Sequence, residues 1–400
     1  MRVVQIMNWH RFGGGSDFMA KVTGEVLRKS GHDVYMMTSD SASFDGTFLG
    51  RAKACARGIY SRDARREMRE ILKNFAPDLV HVHEVYPAHS PWVLRDCRDA
   101  GVPVVMTCHD FRVTCPVSTH ISHGEPCDRC TRGSTLSCFT RNCRENRFES
   151  AAFALRAGVA KSFRLFEENV NLFLAPSHFI KQRMIDSGLP SDKLRVVPNM
   201  VRMTRTTTNP GAGTYAAFVG RVAPEKGLDT LMEAAWRAGM PLHIAGHGAH
   251  FPQSVAPNVH WRGHLSGAAL TEFYAGARFV VVPSRWFEAF GLVVAEAMML
   301  GIPVIAANAG ALPELVDHGV TGFLFTAGDS QELARCMSIL WKDGELCRRM
   351  GVSGRAKAMR MYTAQQYYVN LMMAYKSAAK VGERTESPES AKTRQPQVVQ

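Results

Sequence analysis

The 400-residue sequence predicts an α/β fold of two doubly wound, Rossmann-like domains that face each other across a central cleft. Three observations lead to this prediction. Short apolar segments alternate with helical segments, the alternation occurs in both halves of the chain, and a Thr- and Gly-rich stretch separates the halves. Near-continuous apolar strands are typical of parallel sheets covered on both faces, and such sheets bind ligands at the carboxyl ends of their strands.

Nine apolar segments are the predicted strands. They are Val3–Met7, Asp33–Thr38, Leu79–His83, Val104–Cys108 and Leu172–Ala175 in the first half, and Ala216–Val219, Leu242–Ala245, Phe279–Val282 and Pro303–Ala306 in the second. The predicted divisions are an N-terminal domain (1–197), a linker (198–213), a C-terminal domain (214–355), a terminal helix packing back on the N-terminal domain (356–380) and a disordered tail (381–400).

Composition indicates an ordinary globular protein, with 46% hydrophobic and 21% charged residues. The formal charge of +12 is spread over both halves, which suits anionic small molecules or an acidic membrane surface at least as well as nucleic acid. No run of 18 apolar residues predicts a transmembrane helix, and Met1–Met7 is too short for a secretory signal. We therefore expect a cytoplasmic protein that binds no nucleic acid.

Two carboxylates, Glu288 and Glu296, bracket a Phe-Gly-Leu-Val-Val stretch just after the apolar segment that ends near Pro283. If a helix begins around Gly291, Glu288 lies at the carboxyl end of a strand and Glu296 lies about two turns into the helix. The free N–H groups at the start of such a helix suit phosphate. A buried helix with a capping glutamate is the structural alternative.

A second loop, Gly220–Gly227, follows the strand at 216–219 and carries two cations, Arg221 and Lys226. Arginine can chelate phosphate oxygens through its planar fork, and lysine supplies a compact positive charge. A diphosphate leaving group needs this neutralisation when its bond to the transferred group breaks. Two ordinary surface cations on a solvated loop are the alternative for this motif alone.

The order of these motifs resembles the family 4 retaining glycosyltransferases. The segments that carry the resemblance are, in chain order, Gly-Arg-x-x-x-Glu-Lys-Gly from Gly220, Gly-x-Gly from Gly246, Glu-x-Phe-Gly from Glu288, Gly301–Ala306 and Gly310–Phe323. They cover essentially all of residues 215–326. The resemblance implies the GT-B fold, in which the C-terminal domain holds most of a nucleoside diphosphate-sugar donor.

By position, the resemblance assigns Arg221 and Lys226 to the donor diphosphate, as catalytic and binding groups. It assigns Glu288 to hydroxyls of the transferred sugar, with help from backbone N–H groups around Phe290 and Gly291. These roles agree with the chemistry, because carboxylates accept hydrogen bonds from sugar hydroxyls while cations and amides bind phosphate oxygens.

Four further donor contacts follow from the resemblance. The N–H groups of Leu292 and Val293 would meet the phosphates, Glu296 would take the ribose hydroxyls, and Arg262 would lie near the base. The implied reaction moves a hexose-type sugar to an acceptor hydroxyl with retention at the anomeric carbon. Because no Asp-x-Asp occurs in the chain, no metal or other cofactor is expected to be required for catalysis.

In the first half, Gly13-Gly14-Gly15 follows the first strand and leads into a helix. Glycines let a backbone approach a ligand closely, and Gly14 and Gly15 are predicted to contact the donor. His109 ends another strand, and the resemblance places a histidine here beside the donor sugar, so His109 is a further catalytic candidate. A structural histidine is the alternative, and for His83 we favour that alternative.

Six cysteines fall between Cys108 and Cys143, in what resembles a Cys-rich insert over about 115–143. The spacing of Cys127, Cys130, Cys138 and Cys143 can close a tetrahedral zinc site, and reduced thiols or a disulfide are the alternatives. Residues 51–73 carry eight Lys or Arg against three Asp or Glu, interleaved with apolar side chains. This segment is a candidate surface for anionic lipid on the inner membrane face, with a solvated helix face as the alternative.

Two other functions compete with glycosyl transfer. A nicotinamide-dependent oxidoreductase would share the Rossmann-like halves, but it needs a Gly-x-Gly-x-x-Gly fingerprint, and position 18 is Phe18. A zinc-containing nucleic-acid-binding protein would use the cysteines and the net charge, but it leaves residues 215–326 unexplained. The acceptor, a sugar or a lipid-linked sugar, and the choice between UDP and GDP stay open; assembly of cell-surface polysaccharide or glycolipid is the expected setting.

Overall fold

The structure is a computed structural model that describes residues 1–10, 13–41, 44, 47–203, 206, 208–248 and 256–385. Up to Val196 its strands are β1 (Arg2–Trp9), β2 (Asp33–Asp40), β3 (Leu79–Val82), β4 (Val104–Thr107), β5 (Ile121–Ser122), β6 (Glu125–Pro126), β7 (Leu172–Ala175) and β8 (Leu194–Val196). Its helices there are α1 (Gly15–Lys29), α2 (Phe48–Ile59), α3 (Arg62–Asn74), α4 (Trp92–Asp99), α5 (Arg129–Arg132), α6 (Leu136–Thr140), α7 (Arg147–Ser162) and α8 (His178–Asp186).

The rest of the described chain contains the strands β9 (Tyr215–Val219), β10 (Leu242–Ala245), β11 (Val259–Trp261), β12 (Ala277–Val282), β13 (Val304–Ala307) and β14 (Gly322–Phe325). The helices are α9 (Leu228–Ala238), α10 (Gly267–Ala275), α11 (Leu292–Leu300), α12 (Leu312–Leu315), α13 (Ser330–Lys342), α14 (Gly344–Met361) and α15 (Ala364–Thr385).

These strands form two parallel six-stranded sheets, which confirms the predicted fold class. The N-terminal sheet has the order β2-β1-β3-β4-β7-β8 and the C-terminal sheet has the order β11-β10-β9-β12-β13-β14, while β5 and β6 form a separate hairpin. The strands β3, β4, β7 and β13 are buried along their whole length, as expected for strands covered on both faces. The strand order reverses at β1/β3 in one sheet and at β9/β12 in the other.

All nine predicted strands are present, with ends that differ by at most two residues. The prediction missed the edge strands β8, β11 and β14 and the hairpin. These three edge strands are only three or four residues long and partly exposed; in β8, for example, Leu194 is buried and Arg195 is exposed. Such segments lack the continuous apolar run by which the central strands were recognised.

The predicted terminal helix over 356–380 is not one helix. α14 ends at Met361 and α15 begins at Ala364, where the Thr363 hydroxyl accepts the Gln366 N–H at 3.2 Å as an N-cap. Tyr362 belongs to the core of the C-terminal sheet, whereas Tyr375 is buried against the N-terminal sheet. The chain must turn here because one straight helix cannot serve both cores.

The chain crosses between the sheets twice at neighbouring points. The first crossing follows β8, and there the Val201 N–H donates to the Tyr362 carbonyl of the second crossing at 2.9 Å. α15 then runs along the N-terminal sheet and continues to Thr385, beyond the predicted end at 380. The remainder of the predicted tail, 386–400, lies outside the described residues. None of the described helices combines the length and apolar character needed to cross a bilayer.

Candidate active site between the two sheets

Loops at the carboxyl ends of both sheets meet across the cleft. Gly15 of α1 lies so close to α11 that a Cβ at this position would be 3.1 Å from Leu292 Cδ1. The Ser177 hydroxyl donates to the Ala289 carbonyl at 2.8 Å, and the rings of Phe179 and Phe287 lie 5.2 Å apart between centroids. The predicted donor residues Gly15 and Leu292 are therefore brought together by the tertiary structure.

The centre of the C-terminal side is Glu288. Its Oε1 accepts hydrogen bonds from Lys226 Nζ and from Ser284 Oγ, each at 2.5 Å. Burial raises the pKa of the Glu288 carboxyl, but the Lys226 charge, both hydrogen bonds and the more distant Arg221 charge outweigh burial and hold the pKa below its ordinary value. The site thus presents an ionised carboxylate and an ammonium group at the β9/β12 switch point, where doubly wound sheets bind ligands.

Glycine makes this pairing geometrically feasible. Gly227, with φ of +66°, directly follows Lys226 and packs against the loop after β12. A Cβ at position 227 would lie 2.0 Å from the Pro283 carbonyl oxygen. At Gly310, with φ of +62°, a Cβ would lie 2.4 Å from the Glu288 backbone nitrogen. Only glycine adopts these angles without strain and leaves room for the neighbouring backbone.

Arg221 lies on the exposed rim of the same loop. Its guanidinium donates to Glu225 Oε1 at 2.9 Å, and the Arg221 side chain is 59% exposed. The Glu225 carbonyl in turn accepts the Arg285 N–H at 2.9 Å, which ties the β9 loop to the β12 loop. An exposed ion pair is weak, so Arg221 can exchange Glu225 for a ligand anion at small cost.

The start of α11 carries no capping side chain. Its N-cap is Gly291, with φ of +101°, which offers no side-chain cap, and its first turn holds no acidic residue. The N–H groups of Leu292 and Val293 therefore lack the helical partners that later residues have. The preceding Phe290 side chain is buried with its ring against Tyr362, so the ring is structural, and the contact of its backbone N–H with the sugar stays a prediction.

Glu296 lies just over one turn into α11, not the two turns predicted, because the helix begins at Leu292; it accepts a hydrogen bond from the Tyr274 hydroxyl at 3.0 Å. Burial raises the pKa of Glu296, and the hydrogen bond from Tyr274 offsets only part of that effect. The sequence analysis missed Tyr274 and Ser284. Ser284 is only four positions before Glu288 in the sequence, and this spacing could have indicated a site residue. Tyr274 lies in α10, where no motif indicated a role.

On the N-terminal side, His109 belongs to a chain of buried polar groups. Its Nε2 lies 3.0 Å from His83 Nδ1, and His83 Nε2 lies 3.0 Å from the Gln5 amide nitrogen. Burial lowers the pKa of His109 to about 4, with the Asp110 charge offsetting part of that effect, and burial also holds the pKa of His83 well below its ordinary value. Both rings are therefore neutral at pH 7.

A charged cluster supports the same loop. Arg112 is paired with both Glu84 and Asp110, and Glu84 is completely buried. The Asp110 carboxylate also accepts the Arg112 backbone N–H at 2.9 Å, which closes the turn after His109. This cluster orders the turn after His109, while the His109 ring contacts His83, which in turn contacts Gln5.

An interdomain contact at α8 was not predicted. Glu314 of α12 accepts the N–H groups of His178 at 2.8 Å and Phe179 at 2.6 Å, across the cleft from its own sheet. A carboxylate at a helix N-terminus is a favourable partner for the free N–H groups and the helix dipole. Glu314 stood inside the family pattern in the sequence, but nothing local indicated its partner 136 residues away.

The structure places two other predicted elements away from this centre. The Arg262 guanidinium lies 3.4 Å from His243 on β10, at the β11 edge of the sheet, and its contact with a base stays a prediction. In the candidate lipid surface over 51–73, Met68 and Ile71 of α3 are buried in the core. Arg65 and Arg69 are paired with Asp96, so the structure favours a solvated face there.

The cysteine cluster surrounds α5, α6 and the β5–β6 hairpin. Burial and the neighbouring thiols of Cys115, Cys127 and Cys143 raise the pKa of Cys130 to about 11. All ten cysteines are free thiols. Within the described ranges no three His, Cys, Asp or Glu side chains are grouped as metal ligands, so the zinc site over Cys127, Cys130, Cys138 and Cys143 stays a prediction.

Comparisons with known proteins agree with this geometry. The chain is 27% identical over 226 residues to an uncharacterized 41.2 kDa protein in the cps region of Klebsiella pneumoniae, covering 51% of this chain and 63% of that protein. It is 36% identical over 157 residues to a GDP-mannose-dependent alpha-mannosyltransferase of Mycolicibacterium smegmatis, covering 39% of this chain and 41% of that enzyme. The chain thus spans less than two thirds of either relative.

The solved structure of Anabaena HepE in complex with UDP is similar in fold, with a TM-score of 0.64 at 19% identity over 94% of this chain and 100% of HepE. Two family models match consecutive segments: Glycosyltransferase Family 4 over residues 13–205, and Glycosyl transferases group 1 over residues 204–357. These matches span both sheets and favour glycosyl transfer over the oxidoreductase and nucleic-acid-binding alternatives. The chain belongs to the family 4 glycosyltransferases and has their GT-B fold.

Proposed function

We propose that this protein is a retaining glycosyltransferase that moves a sugar from a nucleoside diphosphate-sugar to an acceptor hydroxyl. The observation that carries the proposal is the 2.5 Å contact between Lys226 Nζ and Glu288 Oε1 beside the open N-terminus of α11. A nucleotide sugar joins its anomeric carbon directly to a phosphate oxygen. Its binding site therefore needs a sugar-binding carboxylate and a phosphate-binding cation side by side, as here.

In the proposed mechanism, Lys226, Arg221 and the first amides of α11 bind the diphosphate and stabilise the charge that develops on it. Glu288 accepts hydroxyls of the sugar, and Glu296 accepts those of the ribose. The bond between the anomeric carbon and the phosphate oxygen breaks while the acceptor oxygen bonds to that carbon. The acceptor proton passes to the leaving diphosphate, and neutral His109 faces the sugar from the other wall.

The acceptor and setting are finer proposals. A sugar or lipid-linked acceptor in cell-surface polysaccharide or glycolipid assembly is supported by the similarity to a protein of a cps region. The donor base is open between UDP and GDP, because one relative is named for GDP-mannose and HepE was solved with UDP. A structural zinc at the cysteine cluster would have no part in the transfer chemistry.

Calorimetric titration with UDP and GDP tests the donor site. We expect one nucleotide to bind with a micromolar Kd, and Arg221→Ala to weaken that binding by about tenfold, the effect of one charge-assisted contact. Arg237→Ala is the matched control, because Arg237 likewise pairs with a glutamate four residues away, Glu233, but at the far end of α9. Failure of the wild-type protein to bind either nucleotide would refute the proposal.

A further inference from the structure

Helix α7 exposes large apolar side chains on one of its faces. Phe148, Ala151, Leu155 and Val159 recur at three- and four-residue spacing and therefore share one face. Phe148 is 43% exposed and Leu155 is 56% exposed. The opposite face of α7 is also apolar and holds the buried Ala154 and Ala160. A helix that is apolar on all sides normally has neighbours all round.

Two helices, α2 and α6, pack against α7. Beside α2, Arg51 pairs with Glu149, and Cys55 Sγ lies 4.0 Å from the Ala152 carbonyl oxygen. On the other side Cys138 Sγ of α6 lies 3.8 Å from the Ser150 carbonyl oxygen, and Lys161 Nζ donates to the carbonyls of Thr131 at 3.2 Å and Gly133 at 2.8 Å in and after α5. The helix that carries these apolar side chains is thus held in place by its neighbours.

Helix α6 and the end of α7 extend the apolar surface. We call this surface the α6–α7 ridge; its large exposed side chains, with their exposed fractions, are Leu136 (63%), Phe139 (40%), Phe148 (43%), Leu155 (56%) and Phe163 (56%). Clusters of exposed apolar side chains on this scale mark interaction sites with proteins or membranes.

The positive charge around the ridge favours a membrane over a protein as its partner. Residues 129–164 contain eight Arg or Lys and only two Glu; Arg129, Arg144 and Arg147 are exposed around the ridge, and exposed Arg164 is paired with Glu167 and Glu168 just beyond this range. Of the two acids, Glu149 is already paired with Arg51 and Arg144, and Glu145 is exposed. An apolar helical face surrounded by excess Arg and Lys is the pattern of a helix that lies in the interface of an anionic bilayer.

The inner face of α7 leads to the cleft. Arg156 stacks on the Tyr86 ring, with its guanidinium carbon 3.9 Å from the ring centroid. Tyr86 also lines a pocket together with Arg112, Lys161 and Arg164 among others. Arg112 is the partner of Asp110, next to His109. A membrane-held acceptor at the ridge would therefore lie next to the N-terminal side of the active site.

We propose that the α6–α7 ridge docks this protein onto anionic lipid bilayers, so that α6 and α7, and not residues 51–73, form the membrane-facing surface. The inference deepens the proposed function and rests on it for the lipid-linked acceptor. The docking itself involves residues other than those of the donor site. It can therefore succeed or fail independently of nucleotide binding.

The test is co-flotation of the full chain with phosphatidylcholine vesicles that contain or lack phosphatidylglycerol. We expect binding to the anionic vesicles, weakened by salt, and a loss of about tenfold or more in Leu136→Ser/Leu155→Ser. Arg129→Gln/Arg147→Gln should lose binding to anionic vesicles by a similar factor. The matched control is Trp236→Ser/Val352→Ser, which removes two side chains that are 67% and 70% exposed on the other domain.

Three results would overturn docking at the ridge: no vesicle binding by the wild-type chain, equal loss in the control variant, or a dimer that Leu136→Ser/Leu155→Ser dissociates without any vesicle binding. UDP and GDP titrations on the same preparations keep the two proposals apart. Unchanged nucleotide affinity in the ridge variant, with lost flotation, supports docking and shows that the variant is folded. Vesicle binding without nucleotide binding would refute the donor site and leave the ridge intact.

Discussion

The two walls of the cleft use different chemistry. On the C-terminal wall the central groups are charged and paired: Lys226 with Glu288, and Arg221 with Glu225. On the N-terminal wall the group at the cleft is neutral His109, held through His83 and Gln5. The diphosphate of a charged donor is therefore expected to bind mainly to the C-terminal wall, while the N-terminal wall contacts the donor through neutral groups.

The strongest test of this division is Lys226→Met. Loss of the ammonium group removes the cation beside the diphosphate site and also the largest charge that holds the pKa of Glu288 down. We expect nucleotide affinity to fall by about 100-fold and kcat/KM by about 1000-fold. Lys193→Met is the control, because Lys193 is a half-buried lysine that donates to carbonyls of the N-terminal domain. Affinity within threefold of wild type would contradict the assignment.

His109→Ala tests the opposite wall. We expect kcat to fall by about 100-fold with little change in the Kd for UDP or GDP, because His109 is proposed to contact the sugar and not the diphosphate. His32→Ala, which removes a half-buried ring bonded to Tyr368 at 2.9 Å, should leave both quantities unchanged. An equal loss of nucleotide affinity and kcat would show that the two walls do not divide the work as proposed.

Lowering the pH should destabilise the N-terminal domain before the C-terminal domain. His81, His89 and His120 are buried in the N-terminal domain, and burial lowers the pKa of His81 to about 3 and those of His89 and His120 to about 4. Their folded pKa values lie below the unfolded value, so the stability they contribute is present above pH 6.5 and is lost as pH falls toward 4. Each histidine should contribute a slope of about 1.4 kcal/mol per pH unit in that window.

Hydrogen exchange of peptides from each domain at pH 7, 6 and 5, corrected for the intrinsic pH dependence, measures this effect. The N-terminal domain should lose more protection than the C-terminal domain. His81→Gln, which replaces a titrating ring bonded to Tyr375 and Thr107 by a neutral amide, should reduce the slope. Equal loss in both domains would contradict the comparison between the walls.

Much of the fold could be predicted because its signals are local. The central strands are continuous apolar runs, and the loops after β9 and β12 carry their glycines and charged residues within a few positions. The sequence also placed Glu288 at the end of a strand and Glu296 in the following helix, as the structure has them. The edge strands, the break at 362–363 and the partner of Glu314 had no comparable local signal.

The sequence by itself determined the two sheets and the residues offered at their switch points, because periodicity and turn chemistry act over short stretches. Only the tertiary structure decided that Lys226 meets Glu288 across 62 residues, and that Thr363 starts a new helix between two cores. It also decided which apolar faces are covered: Met68 and Ile71 are buried, whereas Leu155 faces solvent. Burial depends on which elements pack together, and the sequence of a single segment does not specify which elements will pack against it.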